Sequence, residues 1–98
     1  MYARINGEEI PPDTLSYVML SVGGNVKLNG EAINEQDRQT LATILASFNE
    51  GDHVEFDVED KDFHRLHGAG EVRALNTEER GVGGLMRIKY FIDIQYVR

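Results

Sequence analysis

The densest run of side chains able to do chemistry is Glu59-Asp60-Lys61-Asp62-Phe63-His64-Arg65-Leu66-His67. Asp60, Asp62 and His64 alternate as metal ligands would on an extended segment, and His64 and His67 would share a cation if that segment turned helical. Zinc sites usually draw a further ligand from a distant part of the chain, however, and a polar stretch between two strands is most simply a solvated loop. No metal is expected there. Acid-base catalysis needs a carboxylate or imidazole moved from its ordinary pKa by burial and partners, and a hydrophilic run works against such a shift. No catalytic residue is assigned. His53, His64 and His67 have the charge change of a pH sensor, but nothing in the sequence specifies what they would switch. Ser16, Ser21 and Ser47 lie in apolar stretches without a Gly-x-Ser-x-Gly elbow, which argues against a serine hydrolase.

Gly23-Gly24 and Gly81-Val82-Gly83-Gly84 lack the following helix or Lys-Ser/Thr pair of a phosphate cradle, so they read as turns and no cofactor is expected. Tyr90 and Tyr96 share an apolar face with aliphatic residues and read as core. Phe91 points the other way, between Lys89 and Asp93, and is the aromatic best suited to a contact surface.

These residues must be positioned by a small domain, because 98 residues bury only somewhat over about 60% of the unfolded surface. With 41% hydrophobic and 28% charged residues, the chain has the balance of a folded protein, and residues 1 to 98 read as a single domain. Seven acidic and three basic residues in the first fifty, then ten and seven in the rest, spread the net charge of −7 evenly. That acidity opposes non-specific binding to nucleic acid or anionic lipid. Cys is absent, which removes disulfides and thiolate chemistry. No signal-like run or stretch of spanning length is present, so a cytoplasmic location is expected.

Ala3-Arg4-Ile5-Asn6-Gly7-Glu8-Glu9-Ile10 is echoed by Val26-Lys27-Leu28-Asn29-Gly30-Glu31-Ala32-Ile33, and Asn-Gly predicts a short hairpin in each. Leu41, Ile44, Leu45 and Phe48 at helical spacing, Asn34 as N-cap and Gly51 as terminator predict a helix over about 35–49. Leu15, Val18, Met19 and Val22 also fit helical spacing, and Pro11-Pro12-Asp13 suits a helix start, so a short helix is read here. Tyr17-Val18-Met19-Leu20 would equally make a strand paired with Val26-Lys27-Leu28.

From Gly51 the period becomes two. Val54, Phe56 and Val58 face inward while His53, Glu55, Asp57 and Glu59 face solvent. Val72 and Ala74 mark a second strand, interrupted by Leu75, and Asn76–Arg80 read as the solvated flank of a turn. Met86, Ile88, Tyr90, Ile92, Ile94 and Tyr96 share one face of a long run, bent or broken in two, that ends near Val97. It is expected to be central; as a bare edge it would pair with another copy in a homodimer. This half resembles the small SH3-like barrels, including the KOW and Tudor-type modules, through Gly51-Asp52-x-Val54 at one strand opening and Gly68-x-Gly70-x-Val72 at the next. The resemblance implies binding to peptides, nucleic acid or other proteins. The chain lacks the basic and aromatic loop residues of the nucleic-acid binders in that group.

The expected fold is α+β, with short N-terminal hairpins, one main helix, and a C-terminal antiparallel sheet able to curl into an SH3-like barrel. The expected function is a non-catalytic interaction or regulatory module. Glu55, Asp57, Glu59, Asp60, Asp62 and Phe91 would engage a basic protein surface, in part by imitating nucleic-acid charge. The alternative is a nucleic-acid-binding module using Arg65, Arg73, Arg87 and Lys89; a metal-dependent protein or small enzyme comes third.

Overall fold

The described residues form seven strands, most of them built on alternating apolar positions: β1 (Tyr2–Ile5), β2 (Glu8–Glu9), β3 (Leu15–Leu20), β4 (Asn25–Ala32), β5 (His53–Glu59), β6 (Arg65–Val82) and β7 (Leu85–Tyr96). The computed structural model describes residues 1–21, 23–83 and 85–96; Val22, Gly84 and Val97, named above, lie outside them. The strands form one antiparallel sheet in the order β2-β1-β5-β6-β7-β4-β3, and α1 (Glu35–Ala46) packs on its inner face.

The sheet's shape follows from its connections. β2 and β3 are the end strands, yet Glu9 and Leu15 are joined by a short strap containing a 3-10 turn at Pro12–Thr14. Six residue steps reach at most about 22 Å. Seven strands laid flat at about 4.8 Å spacing would hold the ends about 29 Å apart. The sheet therefore has to curl, and Ile10 N–H donates to Ala3 O at 2.9 Å as the strap returns past β1. The result is an α+β fold with a curled, half-barrel sheet. Its interior collects Ile5, Val26, Leu28, Val54, Phe56, Val58, Ile92 and Ile94 with Leu41, Ile44 and Leu45 of α1 and the following Phe48.

Asn34 caps α1 as expected, its Oδ1 accepting from Asp37 N–H at 2.8 Å. The helix stops at Ala46, short of 49. The Ser47 hydroxyl donates to Ile44 O at 2.6 Å, and Gly51, at φ +90°, turns the chain into β5 with its N–H on Val72 O.

The two Asn-Gly pairs part company. Asn6 and Gly7, at φ +52° and +80°, make the expected two-residue turn between β1 and β2. Asn29-Gly30 is no hairpin: it lies inside β4, where a side chain at Gly30 would overlap the Thr14 carbonyl. The expected short helix at 13–22 is also corrected, since Leu15–Leu20 is a strand whose Val18, Met19 and Leu20 pair with Leu28, Lys27 and Val26. A register shift between Leu15 and Tyr17 inserts an extra residue, which puts Leu15 and Val18 on the same side and imitates helical spacing. A second bulge, between Val72 and Ala74, likewise brings Leu75 opposite Ile92 and accounts for the broken alternation. Asn76–Arg80 is not a loop flank but strand, paired with Arg87 to Phe91. Arg65, Leu66 and His67 similarly belong to β6 rather than to a loop.

β7 is one continuous strand with neighbours on both sides, β6 across its length and β4 from Ile88 to Gln95. An interior strand offers no free ladder over that stretch to a second copy. Its amides from 88 to 94 are expected to exchange slowest in the protein, and exchange there as fast as in β2 would overturn the placement. Among the described residues, no helix is long and apolar enough to cross a membrane.

Candidate functional site

The outer face of β5 carries His53, Glu55, Asp57 and Glu59, and its flanking strands decide what those charges do. On one side β1 sets Arg4 opposite Asp57 and Tyr2 opposite Glu59. On the other, β6 sets Glu71 opposite His53, Ala69 opposite Glu55, His67 opposite Asp57 and Arg65 opposite Glu59. Arg87 and Lys89, whose pairing with β5 would have neutralised the acidic face, sit on β7 instead. On this face Arg65 neutralises Asp57 alone, by a diagonal fork with Nε 3.1 Å and Nη2 2.9 Å from the two Asp57 carboxylate oxygens. The Arg65 Nη2 also donates to the Tyr2 hydroxyl at 2.8 Å. The guanidinium carbons of Arg65 and Arg4 lie 5.3 and 5.9 Å from the Tyr2 ring centre, within cation–π range.

This clamp sets the electrostatics. Hydrogen bonds from Arg65, then from Tyr2, hold the Asp57 carboxyl down at about 2. The pair also raises Arg65, and burial followed by Asp57 raises the Tyr2 phenol. Asp57 in the folded protein therefore resists protonation. The stability it contributes is complete above its ordinary pKa of 3.8 and is lost as pH falls from there towards about 2. Asp57→Asn should accordingly flatten part of the fall in urea midpoint between about pH 4 and 2. An unchanged slope would mean that the clamp does not form. Below the clamp, Arg4, Glu55, Asp57, His67 and Ala69 line a shallow concavity of about 440 Å³.

The loop joining β5 to β6 is held from inside. Asp60 Oδ1 accepts the N–H groups of Asp62 and His64, each at 2.9 Å, and His64 Nδ1 lies 3.0 Å from Oδ2. Burial acts to raise the Asp60 carboxyl, and these bonds outweigh it, so the carboxyl stays below its usual range. Asp60, Asp62 and His64 bring their ligand atoms within 4.8 Å of one another, but both Asp60 oxygens already serve the loop. At the tip, Phe63 has φ +65° and is 81% exposed. A bulky residue in the left-handed region is an outlier that surrounding bonds must enforce.

Of the residues predicted from sequence, Glu55, Asp57, Glu59, Asp60 and Asp62 come together on β5 and its loop. Asp57 and Asp60 are occupied holding structure. Phe91 does not join them. It is half-buried on the outer face of β7, across β6 from the site, between Asn29 and Asn76. Tyr2, Arg4 and Phe63 were missed. The first two share the outward parity of β1, but their pairing with a strand fifty residues away leaves no local signal. An aromatic alone in a polar run was the visible sign of Phe63.

The alternative basic stripe does not stand free. Arg65 pairs with Asp57, Arg73 with Glu71 and Arg87 with Glu31, while Lys89 lies in register between Glu31 and Glu78. No protein-family model matches the chain, and neither curated proteins nor solved structures give a significant match.

Proposed function

We propose that this chain is a non-catalytic interaction module that docks a basic protein surface on the outer face of β1, β5 and β6, with Phe63 as the apolar anchor. The observation that carries this reading is the placement of Phe63, an exposed aromatic held out by a loop that has spent a carboxylate to fix it. Exposed aromatics with polar rims are the usual anchors of protein interfaces. Glu55, Glu59 and Asp62 form the rim, and among the described residues none of the three is in an ion pair. Their field would steer a basic partner and weaken with salt. Asp57 and Asp60 are both held below the usual carboxylate range by the hydrogen bonds they accept, so neither is suited to act as a general acid near neutral pH.

A photo-crosslinking side chain at position 63, expressed in the source cell, should capture a protein. The same group at position 91 should not. Phe63→Ser, and separately Glu55→Gln with Glu59→Gln and Asp62→Asn, should slow association with that protein at least tenfold at low salt while leaving thermal unfolding unchanged. Association rates unaltered in both variants would sink the proposal. The nucleic-acid reading, with the sheet as an SH3-like module, is less well supported because each base of its stripe has a carboxylate neighbour. Salt-dependent retention of a single-stranded oligonucleotide, lost in Lys89→Glu, would favour it instead.

A further inference from the structure

β6 outruns one of its neighbours. β5 pairs with it from Arg65 to Glu71, whereas β7 follows it from Gly70 to Val82, so beyond the bulge one side of β6 has no strand beside it. Two hydrogen bonds show which groups face that side: Val72 N–H donates to Asp52 O, and Leu75 N–H donates to a Glu50 carboxylate oxygen at 3.0 Å. Alternation along the strand then aims the N–H and C=O groups of Thr77, Glu79 and Gly81 the same way. β7 agrees. Tyr96 N–H reaches Gly24 O beyond β4, so Arg87, Lys89 and Phe91 are the residues turned to β6, where their partners are Arg80, Glu78 and Asn76. Thr77, Glu79 and Gly81 are exposed, and among the described residues their outward backbone groups have no hydrogen-bond partner.

The two end strands are protected differently. β2 is two glutamates long and runs into Pro11-Pro12, and β3 carries a bulge, both devices that block strand addition. From Ala74 onward β6 has neither proline nor bulge. Beside its open edge, α1 and the inner face of β6 and β7 bound an open depression of about 290 Å³, lined by Ala42, Leu45, Ala46, Leu75, Thr77 and Ile88. The two alanines keep the helix side of the depression low.

We propose that this edge and depression form a docking groove for an extended basic peptide of a partner protein, which adds as a strand along residues 77 to 81. The ladder would supply main-chain bonds, and alternate apolar side chains of the peptide would enter the depression beside α1. Glu79 on the groove wall and Glu50 at its end favour Lys or Arg between those apolar positions. The same charges disfavour a second copy as occupant. Pairing two β6 edges about the middle of 77–81 would set Glu79 against Glu79 of the other copy, and like charges directly opposite destabilise a ladder.

The groove is separate from Phe63, at the other end of β6, so it can be tested independently. Panning a phage-displayed random heptapeptide library on the folded protein should select peptides with alternating apolar and basic residues. A synthetic copy of the commonest one should shift and protect the amides of Thr77, Glu79 and Gly81. N-methylation of the peptide amides that face β6 should weaken binding at least tenfold. Ala46→Trp, which fills the depression from an exposed helix position, and Glu79→Lys, an exposed strand position, should each do the same. Failure to select any peptide, perturbation centred on Phe63, or indifference to N-methylation would overturn the proposal. So would concentration-dependent protection of these amides without peptide, which would make a second copy the occupant.

Discussion

Gly30→Ala should destabilise the protein by about 3 kcal/mol or more, a large effect for one added methyl group. A Cβ there overlaps the Thr14 carbonyl oxygen and comes within 2.8 Å of the Tyr90 hydroxyl. That hydroxyl donates to the same carbonyl in the interior, and burial pushes the phenol up to about 12, so it remains a donor. The substitution would therefore displace the strap from β4 and strand a buried hydrogen-bonding group. Gly7 makes the comparison. It has the same Asn before it, but a Cβ there meets nothing within 4 Å, and Gly7→Ala should cost only about 1 kcal/mol for its positive φ. Urea titration of the two variants decides the matter, and equal midpoints would mean that the strap is not seated under β4.

Phe48→Ala should cost about 3–5 kcal/mol, much of the roughly 5–15 kcal/mol that holds a domain of this size. Phe48 is 2% exposed and closes the apolar stripe that begins at Leu41. Phe63→Ala removes the same side chain from an 81% exposed position and should shift stability by no more than about 0.5 kcal/mol. One phenylalanine holds the core and the other is free for contact. Similar unfolding midpoints for the two variants would contradict the burial assigned to both.

The helix was legible because its cap and apolar stripe are local signals, and β5 and β7 because their alternation is unbroken. Where a bulge shifts the parity, as between Leu15 and Tyr17, one extra residue made a strand look helical. The Asn-Gly echo misled for a different reason. Glycine serves a positive φ at Gly7 and close backbone approach at Gly30, and only the tertiary structure distinguishes the two needs. The carboxylates of the candidate site could be read from β5. The pairing of Asp57 with Arg65 could not, because strand order is a long-range property. Phe63 is an isolated apolar side chain in a polar run, and its exposure depends on the left-handed backbone that Asp60 enforces, which composition does not show.

The place of β1 in the sheet also governs the order in which the molecule is made. During synthesis β1 and β2 emerge first, but the strand that pairs with β1 on its inner side, β5, is some fifty residues behind. The β5-β6-β7 meander is the local unit, and β4 and β1 must be captured from either side by long loop closures, which place such topologies among the slower small folders. Until β1 docks, the edge of β5 bearing Val54, Phe56 and Val58 is open to other nascent chains. Lengthening the strap between Glu9 and Leu15 should prolong that interval and raise the yield of aggregate on rapid refolding, even where the native structure tolerates the insertion.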